Sequence, residues 1–151
     1  MVAAVKFLLK EGTTIDVYFL DGKVKRYDVL SLTKLLPQYN ALKDRKLFNQ
    51  AYILAGGTIV WNDDLDIDLQ WVYDEGIDVS NEYDDINIVL LGYKIKQKRE
   101  SLNLSQYQLA KKIGIDQSDL SKIEKGNANP SMKMIIRIAK GLETNLKIDF
   151  K

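Results

Sequence analysis

The sequence predicts an α+β domain, with antiparallel strands and short helices, over residues 1–83, followed by an all-α helical bundle over residues 84–151. Two observations support this division. Apolar residues alternate with polar ones in the first half, as in β-strands, and recur every three or four residues in the second half, as in helices. Residues 1–86 contain 9 basic and 15 acidic side chains, a net charge of −6, whereas residues 87–151 contain 13 and 6, a net charge of +7.

The composition excludes several kinds of chemistry. The 151 residues are 46% hydrophobic and 28% charged, as is typical of a soluble globular protein. The absence of cysteine and histidine excludes disulfides, thiolate metal sites and a Ser-His-Asp triad. No apolar stretch approaches the length of a membrane span, and the first residues predict a strand rather than a signal peptide. We therefore expect a cytoplasmic protein that is not an enzyme and has no cofactor.

In the first half, hydrophobic periodicity and turn residues locate the strands. Ile15, Val17 and Phe19 alternate with polar residues, so they are expected on the core face of one strand. Asp21-Gly22 predicts a type I′ hairpin turn. The remaining signals are a short helix ended by Pro37 and a helix capped by Asp68. The predicted strands cover residues 4–9, 14–20, 23–28, 49–55 and 58–61.

Four carboxylates lie close together in the sequence, at Asp63, Asp64, Asp66 and Asp68. A calcium or magnesium site requires oxygen ligands of this kind. However, the segment has neither the glycine turn nor the twelfth-position glutamate of a calcium-binding EF-hand loop. A hairpin turn followed by a helix cap explains the same residues, and we predict no metal site.

Helix caps divide the second half into four helices. Ile88, Leu91, Ile95 and Arg99 follow one another at steps of three or four and predict the buried face of the first helix. Helical N-caps are predicted at Ser105, with Gln108 completing a capping box, and at Asp116 and Ser131; glycines that end helices are Gly114, Gly126 and Gly141. After them, Leu146, Ile148 and Phe150 alternate with charged residues, which predicts a strand or an extended tail.

Residues 106–125 carry the most specific pattern in the chain. Ala110 is small where two helices would cross, and Gly114 occupies a position that requires a left-handed turn conformation. Five apolar residues form a seam that would fix the crossing angle: Leu109, Ile113, Ile115, Leu120 and Ile123. Small residues and a seam in this order predict a helix-turn-helix.

Residues 92–141 resemble the XRE-type helix-turn-helix domain of Cro and lambda-type phage repressors, which also occurs in bacterial regulators and antitoxins. The matching text is LNLSQ at 102–106, LAKKIGI at 109–115, LSKIEKG at 120–126, NPS at 129–131 and IAKGL at 138–142. The resemblance implies a helical bundle whose third helix, the recognition helix, enters the major groove of DNA.

The resemblance also implies roles for individual residues. Base-reading residues would be Gln117, Ser118, Ser121 and Lys122, which otherwise are simply exposed polar residues. Phosphate-contacting residues would be Gln106, which also supports the first residue of the recognition helix, together with Lys125 and Asn127. Arg99 and Glu124 match the structural ion pair of the family. Asp119 departs from a purely basic recognition surface.

Residues 2–75 resemble a second family, known as domain of unknown function 2442. The matching text includes DG at 21–22, TIVWN at 58–62 and LDID at 65–68. This resemblance implies a small prokaryotic α+β domain that binds a protein partner or acts as part of an antitoxin.

The sequence therefore predicts a sequence-specific transcriptional regulator, a repressor in its simplest form, that binds double-stranded operator DNA as a homodimer. It would also be the antitoxin of a toxin–antitoxin pair if the acidic N-terminal domain binds a toxin. The alternative is a protein-interaction module whose helical bundle no longer binds DNA; Asp119 favours this alternative and the +7 charge of residues 87–151 opposes it.

Overall fold

The computed structural model describes residues 2–150 and confirms the predicted fold class. These residues form two compact units, divided between Ile86 and Asn87. The N-terminal unit contains antiparallel strands and short helices, and the C-terminal unit contains helices alone as its regular structure. Among the described residues, no helix has the length and apolar character needed to cross a membrane.

Two antiparallel sheets organise the N-terminal unit. The strands are β1 (Ala4–Leu9), β2 (Thr14–Phe19), β3 (Val24–Asp28), β4 (Tyr52–Ile53), β5 (Ile59–Asn62), β6 (Leu65–Ile67) and β7 (Ile77–Asp78). The first sheet has strand order β1-β2-β3-β7, and the second has the order β4-β5-β6. The helices are α1 (Arg45–Phe48), α2 (Leu69–Glu75) and three 3₁₀ segments, Val29–Lys34, Pro37–Lys43 and Ser80–Glu82.

The prediction of a type I′ turn between β2 and β3 is wrong. Gly22 has a φ of +90°, but Asp21 is not among the described residues with positive φ. The carbonyl of Phe19 accepts a hydrogen bond from the N–H of Gly22 at 3.0 Å, and the N–H of Phe19 donates to the carbonyl of Lys23 at 2.8 Å. The connection is therefore a three-residue loop in which Gly22 supplies the left-handed residue after an ordinary turn.

The core of the N-terminal unit forms as the alternation in β2 predicts. Ile15, Val17 and Phe19 are fully buried in one cluster with residues of both sheets and the short helices. Trp61 belongs to the same cluster, and its indole N–H donates to the carbonyl of Phe48 at 3.1 Å. The predicted cap of α2 is also confirmed, because the Asp68 carboxylate accepts from the N–H of Gln70 at 2.8 Å.

Several short elements of this unit were predicted in a different form. The predicted strand over residues 49–55 is limited to Tyr52–Ile53. The helix expected before Pro37 is a 3₁₀ segment capped by Asp28, and Pro37 begins the next 3₁₀ segment. Strands β6 and β7 were not predicted, because two or three residues are too few to display a period.

The second face of β2 carries a buried polar cluster. Asp16 is fully buried and accepts hydrogen bonds from Arg26 at 2.9 and 2.8 Å and from the hydroxyl of Tyr83. Arg26 also pairs with Glu82 at 2.8 Å. The hydroxyl of Tyr18 donates to Asp85 at 3.0 Å. These contacts hold the segment before residue 86 against the first sheet.

Asp16 is expected to make the stability of this unit depend on acid pH. Burial alone would raise the pKa of Asp16, but hydrogen bonds from Arg26 and Tyr83 and the charges of Arg26 and Lys10 hold it below the ordinary value. A carboxyl with a lowered pKa stabilises the fold above its unfolded pKa of about 3.9, and this contribution is lost as the pH falls through the folded pKa.

We therefore expect Asp16→Asn to lower the free energy of unfolding by about 1.5–3 kcal/mol at pH 7, since it weakens hydrogen bonds to charged groups. The loss should shrink as the pH falls below about 4, where Asp16 of the unfolded wild-type chain takes up a proton, and should be smallest below the lowered folded pKa, where the native carboxyl is protonated as well. Tryptophan fluorescence measures this unit selectively, because both tryptophans, Trp61 and Trp71, lie within it. A deficit that stays constant down to pH 2 would show that the charge of Asp16 does not stabilise the fold.

Four helices form the C-terminal unit. They are α3 (Ile86–Ser101), α4 (Gln106–Ile113), α5 (Gln117–Glu124) and α6 (Met132–Gly141). The capping box of Ser105 and Gln108 is confirmed, as are the Ser131 cap and the left-handed conformation of Gly114, whose φ is +73°. Asp116 occupies the predicted cap position of α5, but its side chain makes no capping hydrogen bond.

The predicted seam forms the core of this unit. Leu109, Ile113, Leu120 and Ile123 are buried in one cluster, and Ile115 packs against it while partly exposed. The inward face of α3 is displaced from the prediction by one position over its first turns, since its buried residues are Val89, Gly92, Ile95 and Arg99. The tail from residue 144 to 150 contains neither helix nor strand, and Ile148 and Phe150 are exposed.

Candidate nucleic-acid interface

Helix α5 has one buried face and one exposed face. Leu120, Ile123 and Glu124 are buried. On the other side, Gln117, Ser118 and Lys122 are exposed, whereas Ser121 is partly buried. Because residues four apart lie one turn apart, Ser118 and Lys122 share a face. Three of the four predicted base-reading side chains are thus exposed to solvent, and Ser121 is less accessible than the others.

The buried face of α5 is fixed to α3 by an ion pair. Arg99 and Glu124 are each only 6% exposed. The guanidinium donates to the two carboxylate oxygens, from Nε at 2.6 Å and from Nη2 at 3.0 Å, and from Nη1 to the carbonyl of Leu104 at 2.7 Å. The hydrogen bonds to Glu124 raise the pKa of Arg99 above its ordinary value. This bidentate pair fixes the orientation of α5 relative to α3.

Gln106 makes a contact that sequence reasoning missed. Its side-chain amide nitrogen donates to Oε2 of Glu124 at 2.9 Å, so the same carboxylate is held from α3 and from α4. Gln106 and Glu124 are 18 residues apart, on two different helices, so no short-range sequence pattern connects them. Gln106 therefore positions α4 against α5 through Glu124.

The N-terminus of α4 presents unpaired backbone donors. The capping box satisfies the N–H groups of Ser105 and Gln108, and Leu109 donates to the carbonyl of Ser105. The first residues of any α-helix have no intrahelical acceptor, which here leaves the N–H groups of Gln106 and Tyr107 available to an anion. The phosphate contact of Gln106 stays a prediction.

Two further predicted phosphate-contacting residues follow α5. Lys125 is exposed and forms the C-cap of the helix. Asn127 is also exposed, and its backbone N–H donates to the carbonyl of Lys122 at 2.9 Å. Both residues therefore lie at the C-terminal end of α5, whereas Gln117 and Ser118 lie at its N-terminal end.

Acidic residues are present on this surface and in the sequence cluster at 63–68. Asp119 is exposed in the first turn of α5, where a negative charge stabilises the helix N-terminus. Over residues 2–150, no three acidic side chains come together as a group that could hold a metal ion. The sequence cluster at 63–68 contains a turn, strand β6 and the cap of α2.

Comparisons with known proteins agree with both resemblances. Residues 2–78 match the family described as "Protein of unknown function (DUF2442)", and residues 95–148 match the family described as "Helix-turn-helix". An "Uncharacterized HTH-type transcriptional regulator" of Methanocaldococcus jannaschii is 45% identical over 47 residues, which are 31% of this chain and 71% of the relative. The chain belongs to both families. Its C-terminal unit is called the helix-turn-helix unit below.

Two further proteins are similar to part of this chain. This chain is 40% identical over 58 residues to the "ImmF control region 10 kDa protein" of Bacillus phage phi105. The match covers 38% of this chain and 64% of that protein. The crystal structure of the restriction-modification controller protein C.AhdI from Aeromonas hydrophila shares 30% identity, with a TM-score of 0.39, and covers 39% of this chain and 89% of that one.

Proposed function

We propose that this protein is a sequence-specific DNA-binding regulator of transcription that acts as a repressor. In this proposal the exposed face of α5 enters the major groove of operator DNA. The observation that carries the proposal is that α5 buries Leu120, Ile123 and Glu124 while Gln117, Ser118 and Lys122 face solvent. Relatives described as transcriptional regulators support it.

The side chains on α5 have the chemistry of base recognition. A glutamine such as Gln117 can form two hydrogen bonds with adenine, and a lysine such as Lys122 can reach the acceptors of guanine. The net charge of +7 over residues 87–151 would supply the attraction to phosphate. Affinity for DNA should therefore fall steeply as the salt concentration rises.

Lys122→Ala is expected to lower operator affinity by about 1–3 kcal/mol and to relax the preference at one base position. Lys125→Ala is the matched control, because it removes the same charge from an exposed position that is expected to contact phosphate. It should weaken binding to all sequences alike. A DNA sequence selected from a random pool, with single-base variants tested by gel shift, measures both effects.

The operator measurement also distinguishes the proposed function from the alternative, a protein-interaction module. A uniform loss for Lys122→Ala across all base variants would remove the base-reading role of this residue. If wild-type protein selects no sequence, and its binding to DNA does not depend on salt, the bundle is a protein-interaction module instead. Asp119, the acidic side chain on α5, is the residue that favours this alternative.

Operator binding as a homodimer is a further part of the proposal. A dimer would contact two half-sites about one helical turn apart, roughly 34–36 Å from centre to centre. A selected operator with two related half-sites at that spacing, bound by two chains in sedimentation analysis, is the expected result. A single half-site bound by one chain would contradict it.

An antitoxin role is the most specific form of the proposal. The acidic N-terminal unit, with a net charge of −6 over residues 1–86, would bind a basic toxin while the helix-turn-helix unit binds the operator. The test is whether co-expression of this chain neutralises a toxic product of an adjacent gene. If the toxic product arrests growth and co-expression of this chain does not relieve the arrest, the antitoxin role is contradicted.

A further inference from the structure

The helix-turn-helix unit contains an apolar groove of about 420 Å³ between α3, α6 and the segment that follows α6. Its apolar lining includes Leu90, Leu91, Ile95, Ile138, Leu142 and Leu146. No residue described as lining this groove comes from α4 or α5. A molecule in the groove would therefore occupy a surface separate from the one proposed to bind DNA.

The rim of the groove carries charge of one sign. Lys94, Lys98 and Lys147 line it, and none of its described lining residues is acidic. Lys94 and Lys98 are four residues apart on α3, so they lie one turn apart on the same face. Leu91 precedes Lys94 by three residues, which places an apolar side chain next to the two cations.

The segment that forms the third wall of the groove is followed by exposed apolar side chains. Residues 144–147 contribute to the third wall and are part of neither a helix nor a strand. Ile148 is 56% exposed and Phe150 is 94% exposed. Large apolar side chains at this level of exposure, in the residues that directly follow the groove lining in the sequence, are typical of a segment that contacts another protein.

We propose that the groove between α3 and α6 is a docking site for an acidic amphipathic segment of a partner protein. Apolar side chains of the segment would fill the groove, and its carboxylates would face Lys94, Lys98 and Lys147. A second copy of this chain fits less well, because face-to-face contact would bring the same three lysines opposite one another. A nucleic acid would satisfy the lysines but not the apolar lining.

The proposal can be tested with a random library of 12-residue peptides displayed on phage and selected on the immobilised full chain. We expect the enriched peptides to combine net negative charge with apolar residues. The affinity of a synthetic copy of one such peptide is then measured by fluorescence polarisation. Reversing two rim charges with Lys94→Glu and Lys98→Glu together should weaken its binding by about tenfold or more.

A matched control separates the groove from general charge. Lys133→Glu with Lys140→Glu makes the same charge change at two exposed lysines of α6 that are not among the lining residues. This pair should change peptide affinity by no more than about twofold. Lys147→Glu, in the tail outside the helices, provides a second groove variant that leaves the helical core untouched. Thermal unfolding of every variant shows that it is folded.

Four outcomes would overturn the proposal. They are the absence of enriched peptides, enriched peptides that are neutral or basic, equal losses in the groove and control variants, and a dimer in sedimentation analysis that Leu91→Asp dissociates. The last outcome would mean that a second copy occupies the groove. Because none of these measurements uses DNA, the docking site and the proposed DNA-binding function can fail independently.

Discussion

Replacing Glu124 by alanine is expected to lower the free energy of unfolding of the helix-turn-helix unit by about 3–5 kcal/mol. Arg99 is only 6% exposed. Without Glu124, its guanidinium would keep the hydrogen bond to the carbonyl of Leu104 at 2.7 Å and the exposed carboxylate of Glu100 at 3.8 Å. The side-chain amide of Gln106 would also lose its acceptor on α5. Circular dichroism at 222 nm during urea unfolding measures the loss, since α3–α6 contain most residues in regular helices.

The control removes both charges at once. Arg99→Met combined with Glu124→Leu leaves no unpaired ion in the core, so it should destabilise the unit much less than Glu124→Ala alone. Tryptophan fluorescence should be unchanged in both variants, because Trp61 and Trp71 belong to the other unit. Equal losses for the single and double variants would indicate that packing, and not the uncompensated charge of Arg99, sets the stability.

Local signals in the sequence were sufficient for much of this architecture. The Ser105 capping box, the left-handed Gly114 and the buried seam depend on residues close together in the chain, and each is confirmed. The alternation of Ile15, Val17 and Phe19 identified the core face of β2 for the same reason. A short-range pattern predicts an element when the element is long enough to repeat it.

Contacts between distant residues could not be read in the same way. The alternation in β2 indicated that Asp16 would face away from the core. Asp16 is nevertheless buried, and it accepts a hydrogen bond from Tyr83, which lies 67 positions later in the chain. Similarly, Gln106 was expected to support the recognition helix at its first residue, but the structure joins it to Glu124 near the end. A polar residue gives no sequence signal of its partner, because the pairing depends on the tertiary fold.

The displaced face of α3 has a steric cause. Ile88 and Leu91 are only partly buried, whereas Gly92 is buried where α3 crosses α5. A Cβ atom at position 92 would lie 2.3 Å from the carbonyl oxygen of Ile123 and 2.8 Å from that of Glu124. The periodicity favours large apolar residues, so a glycine at the point of closest approach is not recognised from the pattern.

Gly92→Ala is therefore expected to destabilise the helix-turn-helix unit by about 3 kcal/mol or more, because the added methyl group would overlap backbone atoms of α5. The sign of the change in the free energy of unfolding is informative, because replacing glycine by alanine within an exposed helix stabilises the helix by about 1 kcal/mol. Gly141→Ala provides the matched comparison. Its Cβ would lie 2.3 Å from Cγ2 of Ile113 and 3.1 Å from Cδ1 of Leu109. These side chains are buried, but they can repack more readily than backbone atoms can, so the loss should be smaller.

Measurements of unfolding and operator binding on the same variants separate stability from orientation. At a temperature where Gly92→Ala remains folded, the displacement of α5 from α3 should still weaken operator binding, because Arg99 and Glu124 fix the orientation of α5 across the same crossing. Gly141→Ala changes contacts of α6 with α4 and should retain operator affinity once folded. If Gly92→Ala is more stable than wild type, the close approach of α3 to α5 does not exist in solution, and the exposed face of α5 would need a different support.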